Sequence, residues 1–137
     1  LAIEVVTYTP MLGTGGTLLK AMQSLKEQGA TKVICAISLP FFTGNAIKDF
    51  DEAYEQGLFY RIIGTNAVYH EDLLNREWYI STDVSGLFAN VITRIHYNQS
   101  LAELLDNRSI IEKVVKQTTP SIAEKGEEAP AANAAKE

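Results

Sequence analysis

The sequence predicts one α/β domain built on a parallel sheet with helices on both faces. Three observations carry this prediction. Strand-like apolar runs at Ala2–Tyr8, Lys32–Ser38 and Phe59–Gly64 alternate with segments of helical periodicity. The second run is almost continuously apolar, as strands buried on both faces of a parallel sheet are. Glycines mark the turns between the segments, and such alternation is typical of right-handed β-α-β crossovers.

The predicted helices follow from apolar residues spaced three and four positions apart. The first begins after the glycines at 13, 15 and 16, and Gly29 stands where a helix commonly ends. A short fourth strand is predicted at Trp78–Ser81. The remaining predicted helical segments are Asn45–Gln56, a turn at His70–Arg76, Ser85–Tyr97, and Leu101–Lys116 in two pieces broken near Asn107.

The 137 residues suit one domain, which we assign to residues 1–117. Residues 118–137 are predicted to be a disordered tail. They contain Pro120, Gly126 and Pro130, and Ile122 is their single large apolar residue, so burial cannot offset the entropy of ordering. The chain begins with Leu1 and a strand-like run follows at once, which predicts a fragment.

Composition excludes several classes of function. Seventeen acidic residues against 12 Lys and Arg give a net charge of −5, which argues against nucleic acid as the partner. No apolar run approaches the roughly 18 residues of a membrane-spanning helix. The single cysteine, Cys35, lies within an apolar run and is interpreted as a buried hydrophobe and not a nucleophile. Without a disulfide partner it fits a reducing compartment, so the predicted location is cytoplasmic.

A glycine-rich segment between the first strand and the first helix is the strongest candidate site. Its residues are Gly13, Thr14, Gly15, Gly16 and Thr17. Amides at a helix start have no intrahelical partner, and the helix dipole favours negative charge there. The segment lacks the Gly-Lys-Ser/Thr ending of a P-loop and the spacing of a dinucleotide fingerprint. Two interpretations of this segment remain: it binds a phosphate, or it only makes a tight turn between the strand and the helix.

The other polar candidates carry weaker signals. Thr65 and Asn66 follow the third strand, where a structural turn and a contact with an effector phosphate are both open. His96 is expected to complement a helix C-terminus and His70 to lie at the surface. We predict no catalytic residue and no metal-ligand set. The acidic side chains of the second helix are interpreted as a solvated face: Asp49, Asp51, Glu52 and Glu55.

Longer stretches resemble one known family. Met11–Ala21, Leu25–Val33 and Ile95–Ser100 are similar to segments of ribose-phosphate pyrophosphokinases, and the likeness covers roughly residues 5 to 106. The resemblance implies the second of two type I phosphoribosyltransferase-like (Rossmann-like) domains, with much of the ATP site in the preceding, missing domain. The family transfers the diphosphate of ATP to the C1 hydroxyl of ribose 5-phosphate, using Mg²⁺, to form phosphoribosyl pyrophosphate.

The resemblance also implies roles for particular residues. The Gly13–Thr17 segment would hold the 5-phosphate of the sugar. Thr9 and Pro10 stand where the family carries two aspartates that bind the ribose hydroxyls and organise Mg²⁺, so the metal ligands are not retained. Ser38–Phe41 replaces a more polar family segment. The implied partners are ribose 5-phosphate, ATP through the missing domain, and further subunits in a homo-oligomer or synthetase assembly.

Three functions are therefore open. The first is a synthetase domain that binds ribose 5-phosphate and is inactive by itself. The second is a catalytically inactive regulatory or structural subunit, which the Thr9-Pro10 pair suggests. The third, a phosphoribosyltransferase acting on a nucleobase, is disfavoured because Arg76–Ser100 follows the synthetase pattern.

Overall fold

The computed structural model describes residues 2–123. Four parallel strands form one sheet in the order β1 (Glu4–Leu12), β2 (Lys32–Pro40), β3 (Arg61–Thr65) and β4 (Tyr79–Thr82). The helices are α1 (Gly16–Glu27), α2 (Ala46–Glu55), α3 (Glu71–Leu74), α4 (Ser85–His96), α5 (Ala102–Leu105) and α6 (Arg108–Ala123). The predicted parallel α/β class is confirmed.

The chain divides into two compact units, one up to Ala89 and one from Asn90 onward. The first unit contains the whole sheet and α1–α3. The second contains α5, α6 and the larger part of α4. No helix in the part of the chain that the structure describes is both long and apolar enough to span a membrane.

The two faces of the sheet differ. On one face, alternate β2 residues Val33, Cys35 and Ile37 are buried in a core shared with α1, α2 and α3. On the other face, Val6 is 73% exposed and Tyr8 63% exposed. A sheet whose strands follow chain order, with right-handed crossovers, receives its connecting helices on one face. The connecting helices α1, α2 and α3 therefore pack on one face of the sheet.

The core is built around a cluster of aromatic rings. Phe50 and Trp78 are almost fully buried, with ring centroids 6.0 Å apart, and Phe59 meets Trp78 edge to face at 5.7 Å. The indole N–H of Trp78 donates to Asp51 Oδ1 over 2.8 Å, and Arg76 Nε lies 2.9 Å from the same oxygen. The interpretation of the α2 carboxylates as a solvated face is therefore wrong for Asp51, which anchors a core side chain.

Cys35 is fully buried, as the sequence predicts. Burial raises the pKa of its thiol to about 11 by disfavouring the charged form. The thiol is therefore protonated at neutral pH, which suits a packing role and not a nucleophilic one.

Some element boundaries differ from the sequence prediction. β1 continues to Leu12, beyond the predicted end at Tyr8, because Met11 and Leu12 pair with the end of β2. The break in the final helical segment is confirmed between α5 and α6. α6 extends to Ala123, six residues into the predicted disordered tail, and the rest of that tail lies outside the described residues.

Candidate functional site

The Gly13–Thr17 loop lies at the carboxyl end of β1, where the chain turns into α1. It is anchored to the loop that follows β2. The carbonyl of Leu12 accepts the amide of Phe41 at 2.9 Å, and the carbonyl of Gly13 accepts the amide of Thr43 at 3.1 Å. Ligands of parallel α/β sheets bind at the carboxyl ends of the strands, so the loop stands at the edge where such a site is expected.

Gly15 is the one loop position that must be glycine. Its φ of 80° is a left-handed conformation that side chains with a Cβ rarely adopt. A Cβ built there would lie 2.3 Å from Cε2 of Phe50, a fully buried ring. The close approach of α2 to the loop therefore depends on Gly15. By contrast, a Cβ on Gly16 would meet nothing within 4 Å.

The start of α1 carries unpaired donors. Gly15 is the N-cap residue and no side chain caps the helix. The first hydrogen bond of the helix is that from Leu19 N to Gly15 O, at 2.9 Å. Within residues 2–123, the amides of Gly16, Thr17 and Leu18 have no protein acceptor, and the exposed hydroxyls of Thr14 and Thr17 have no partner. Such a set of amides and hydroxyls can surround an anion.

A cavity of about 430 Å³ opens beside these donors. None of the side chains that line it is charged. Five of them carry a hydroxyl, and backbone amides of the loop supply the other donors. The lining residues outside the loop are Thr7, Tyr8, Thr9, Met11, Leu12, Leu18 and Ala21. Sequence reasoning did not single out Thr7, Tyr8 or Met11. Thr7 and Tyr8 lie within the predicted strand, whereas Met11 lies on the extension of β1 to Leu12, which no local signal in the sequence predicts.

Thr9 and Pro10, the positions implied for the ribose hydroxyls, lie on β1 just before the loop. The Thr9 hydroxyl donates to the carbonyl of Met11 at 3.0 Å. Leu12 O accepts the amide of Phe41 from the β2 side, and successive carbonyls of a strand point in opposite directions, so the Met11 carbonyl is directed away from β2. β1 is the edge strand, so among the described strands none supplies a donor on that side. The Thr9 hydroxyl therefore supplies a hydrogen bond that the strand backbone lacks.

Thr65 and Asn66, at the end of β3, are held by internal hydrogen bonds. The Thr65 hydroxyl donates to the carbonyl of Ser38. The Asn66 side chain donates to Asp83 Oδ1 at 2.7 Å and accepts the amide of Val84 at 2.9 Å. These hydrogen bonds favour the interpretation that Thr65 and Asn66 form a structural turn. Contact with an effector phosphate stays a prediction.

Asp83 is the central acceptor of this turn. It accepts the Ser85 amide at 2.9 Å and the Ser85 hydroxyl at 3.0 Å in addition to the Asn66 amide group. These hydrogen bonds, led by the one from the Ser85 backbone, lower the pKa of the Asp83 carboxyl, because they favour its charged form. The turn between β4 and α4 is thus fixed by one ionised side chain.

The two histidines lie apart from the loop in sequence and are placed differently from each other. His96 ends α4, as predicted, and meets the Tyr97 ring edge to face at 4.9 Å. His70 is half-buried beside the ring of Phe42, with centroids 6.2 Å apart, and its Nε2 is buried without a partner. The prediction of a surface position for His70 is therefore only partly met.

The donor set does not fit a magnesium ion. Hard divalent cations prefer carboxylate oxygens. The β1 positions beside the loop offer one hydroxyl, on Thr9, and the ring of Pro10. Across residues 2–123 there is no group of three or more His, Cys, Asp and Glu side chains that could hold a metal. No step of a reaction is therefore derived through a metal on this chain.

Together, the parallel sheet, the glycine loop at the carboxyl end of β1 and the unpaired helix amides define a phosphoribosyltransferase-like α/β domain. Residues 5–108 match the model of the phosphoribosyl synthetase-associated domain. The chain belongs to the ribose-phosphate pyrophosphokinase family, also called phosphoribosyl pyrophosphate synthetases.

Individual relatives agree with this assignment. The chain is 36% identical over 102 residues to a ribose-phosphate pyrophosphokinase of Helicobacter pylori strain J99, covering 74% of this chain and 30% of that protein. It is 35% identical over 95 residues to ribose-phosphate pyrophosphokinase 2 of Schizosaccharomyces pombe, covering 69% of this chain and 28% of that protein.

The crystal structure of phosphoribosylpyrophosphate synthetase from Mycobacterium smegmatis is similar, with a TM-score of 0.62 and 26% identity. The match covers 71% of this chain and 31% of that one. The chain thus spans about 30% of the length of these three relatives.

Proposed function

We propose that this chain binds ribose 5-phosphate through the Gly13–Thr17 loop, as the C-terminal domain of a ribose-phosphate diphosphokinase. The observation that carries the proposal is the unpaired set of donors at the start of α1, beside a cavity of about 430 Å³. Family membership supports the identity of the sugar phosphate. Formation of phosphoribosyl pyrophosphate from ATP belongs to the larger assembly, and the chain by itself is proposed to be inactive.

The energetics favour the phosphate group as the main source of affinity. Each hydrogen bond to a charged group contributes about 1.5–3 kcal/mol. The helix dipole adds about 0.3–1 kcal/mol for an anion at the first turn. Loop amides and the Thr14 and Thr17 hydroxyls can donate together to one phosphate. Because Gly15 already holds the turn in its left-handed conformation, little reorganisation opposes binding.

The test is calorimetric titration of the full chain with ribose 5-phosphate and, separately, with ribose. We expect binding of the phosphate ester and none of the free sugar at the same concentrations. The informative variant is Gly16→Leu. A helical Cβ tilts towards the N-terminus of its helix, so the leucine would project towards the loop and its donors. We expect at least a roughly tenfold loss of affinity, or about 1.4 kcal/mol.

Gly86→Leu provides the matched control. Gly86 is the second residue of α4, and a Cβ there also meets nothing within 4 Å. It should leave binding unchanged. Equal affinities of the two variants, or binding of ribose as tight as that of its phosphate, would overturn the proposal.

A second candidate function is a catalytically inactive regulatory or structural subunit. It is favoured by one observation: the Thr9 hydroxyl donates to Met11 within the strand, and Pro10 has no polar side-chain atom. We propose the test of mixing this chain with an intact synthetase. Co-elution with a changed rate of phosphoribosyl pyrophosphate formation supports a subunit role. Robust turnover by the chain alone, with ATP, Mg²⁺ and ribose 5-phosphate, would exclude it.

A further inference from the structure

We propose that the site selects its ligand by the phosphate monoester alone and accepts short organic groups without regard to their vicinal hydroxyls. The substrate class is then phosphate monoesters of small polyols and deoxy-sugars as well as ribose 5-phosphate. This inference rests on the proposed function, since it assumes that the Gly13–Thr17 loop binds phosphate. It assigns the specificity of that loop, which family membership leaves open.

The first argument is the chemistry of the cavity wall. All 12 residues that line the cavity are uncharged. The wall along β1, where the organic part of an ester bound at the loop would lie, consists of Thr7, Tyr8, Thr9 and Met11. A pair of vicinal hydroxyls is recognised strongly when both donate to carboxylates, because charge-assisted hydrogen bonds are about twice as strong as neutral ones. No carboxylate lines this wall.

The second argument is that two of the three hydroxyls of the wall, those of Tyr8 and Thr9, already have partners. Thr9 donates to the Met11 carbonyl at 3.0 Å, on the edge of β1 that no described strand covers. The Tyr8 hydroxyl lies 3.0 Å from Ser38 Oγ, in a side-chain hydrogen bond between β1 and β2. A sugar hydroxyl that bonded either group would have to share or replace an existing bond. Its net contribution is therefore small compared with that of the phosphate.

The third argument concerns the apolar part of the wall. Met11 is 59% exposed and contributes a flexible thioether, which adapts to ligands of different shape. Leu12, Leu18 and Ala21 complete the apolar lining. A cavity of about 430 Å³ has room for a pentose phosphate and for smaller esters. Thus the hydrogen bonds to the phosphate position the ligand, and the organic part of the ester makes only nonpolar contacts, which have no directional preference.

The experiment is a set of titrations of the full chain with ribose 5-phosphate, 2-deoxyribose 5-phosphate and glycerol 3-phosphate, each with Mg²⁺ and with EDTA. We expect the three dissociation constants to agree within about threefold and to be independent of Mg²⁺, because no charge-assisted hydrogen bond distinguishes the ligands. A preference of tenfold or more for ribose 5-phosphate overturns the inference while leaving the proposed function standing. If no ester binds, the proposed function itself fails.

The double variant Thr9→Asp/Pro10→Asp tests the geometry behind the inference. Carboxylates at these two positions of β1, of which residue 9 lines the cavity, should create a preference for ribose 5-phosphate over 2-deoxyribose 5-phosphate of roughly 10- to 100-fold, the range of a charge-assisted hydrogen bond. They should also make binding Mg²⁺-dependent. A cooperative thermal unfolding transition would confirm that the double variant folds. If the double variant does not fold, the same titrations are made with Thr9→Asp alone. A folded variant without any preference would show that these positions do not face the sugar, which contradicts the argument.

Discussion

The ends of β1 and β3 lie at the same edge of the sheet, yet they use their polar groups in opposite ways. At the end of β3, the side chains of Thr65 and Asn66 are engaged with Ser38, Asp83 and Val84. At the end of β1, the first amides of α1 and the hydroxyls of Thr14 and Thr17 have no protein partner among residues 2–123.

At this edge of the sheet, the polar groups that stabilise the fold and those available to bind a ligand lie in different loops. Polar groups that bond each other fix a turn and gain little from a ligand, since each new bond must replace an old one. Polar groups that face water at a helix start exchange water for an anion at little cost. The β1 loop is therefore the binding candidate, and the β3 turn is the candidate for a structural brace.

The largest expected effect is on the conformation of the β1 loop. Gly15→Val should destabilise the fold by about 3 kcal/mol or more, through its left-handed φ and its overlap with Phe50. Urea unfolding followed by tryptophan fluorescence measures the effect, because Trp78 lies against Phe50. Gly16→Ala is the control and should be neutral or slightly stabilising. An unchanged midpoint for Gly15→Val would show that the loop is not fixed by that contact.

The next effect separates binding from stability within the same loop. Thr17→Val keeps the shape of the side chain but removes one hydroxyl donor to the phosphate. We expect a loss of about 1.5–3 kcal/mol in the binding of ribose 5-phosphate, and a change in unfolding free energy within about 0.5 kcal/mol. Thr82→Val, at an exposed threonine of β4, is the control and should change neither quantity. Equal binding by Thr17→Val and the native chain would remove this hydroxyl from the site.

Sequence reasoning captured the features that depend on local pattern. The alternation of strands and helices, the burial of Cys35 and the position of the Gly13–Thr17 loop all follow from apolar spacing and glycine placement. The break between α5 and α6 does as well. Each of these depends on neighbours within about one turn or one strand, so the sequence contains the necessary information.

Features that depend on pairing across the sheet were not predictable. β1 passes through Pro10 to Leu12 because β2 continues beside it, and no local preference signals this. The role of Asp51 depends on Trp78, 27 positions away in the chain. The placement of the connecting helices α1–α3 on one face follows from the strand order, which composition does not specify. Long-range contacts of this kind require the fold itself.

At the β3 turn, Asn66→Ala tests the structural brace. It removes the bonds to Asp83 and to the Val84 amide, which are exposed, so water partly replaces them. We expect a loss of about 1–2 kcal/mol in unfolding free energy and unchanged affinity for ribose 5-phosphate. Denaturant unfolding and calorimetry measure the two quantities on the same sample. A variant with native stability but weaker binding of a phosphorylated effector would instead favour the effector-contact reading.

The smallest effect concerns the charge of Asp83. Its folded pKa is depressed below the ordinary 3.8 by the Ser85 amide first and then by the Asn66 and Ser85 side chains. A depressed folded pKa means that the carboxylate stabilises the fold above the unfolded pKa and loses this contribution as the pH falls through the folded one. The stability difference between the native chain and Asp83→Asn should therefore be constant above about pH 5 and shrink below pH 3.8. Denaturant unfolding across this pH range measures the stability difference. The control is Glu55→Gln, because Glu55 is exposed at the end of α2 and its substitution also removes one negative charge. A difference that grows on acidification would mean that the ionised carboxylate does not brace the turn.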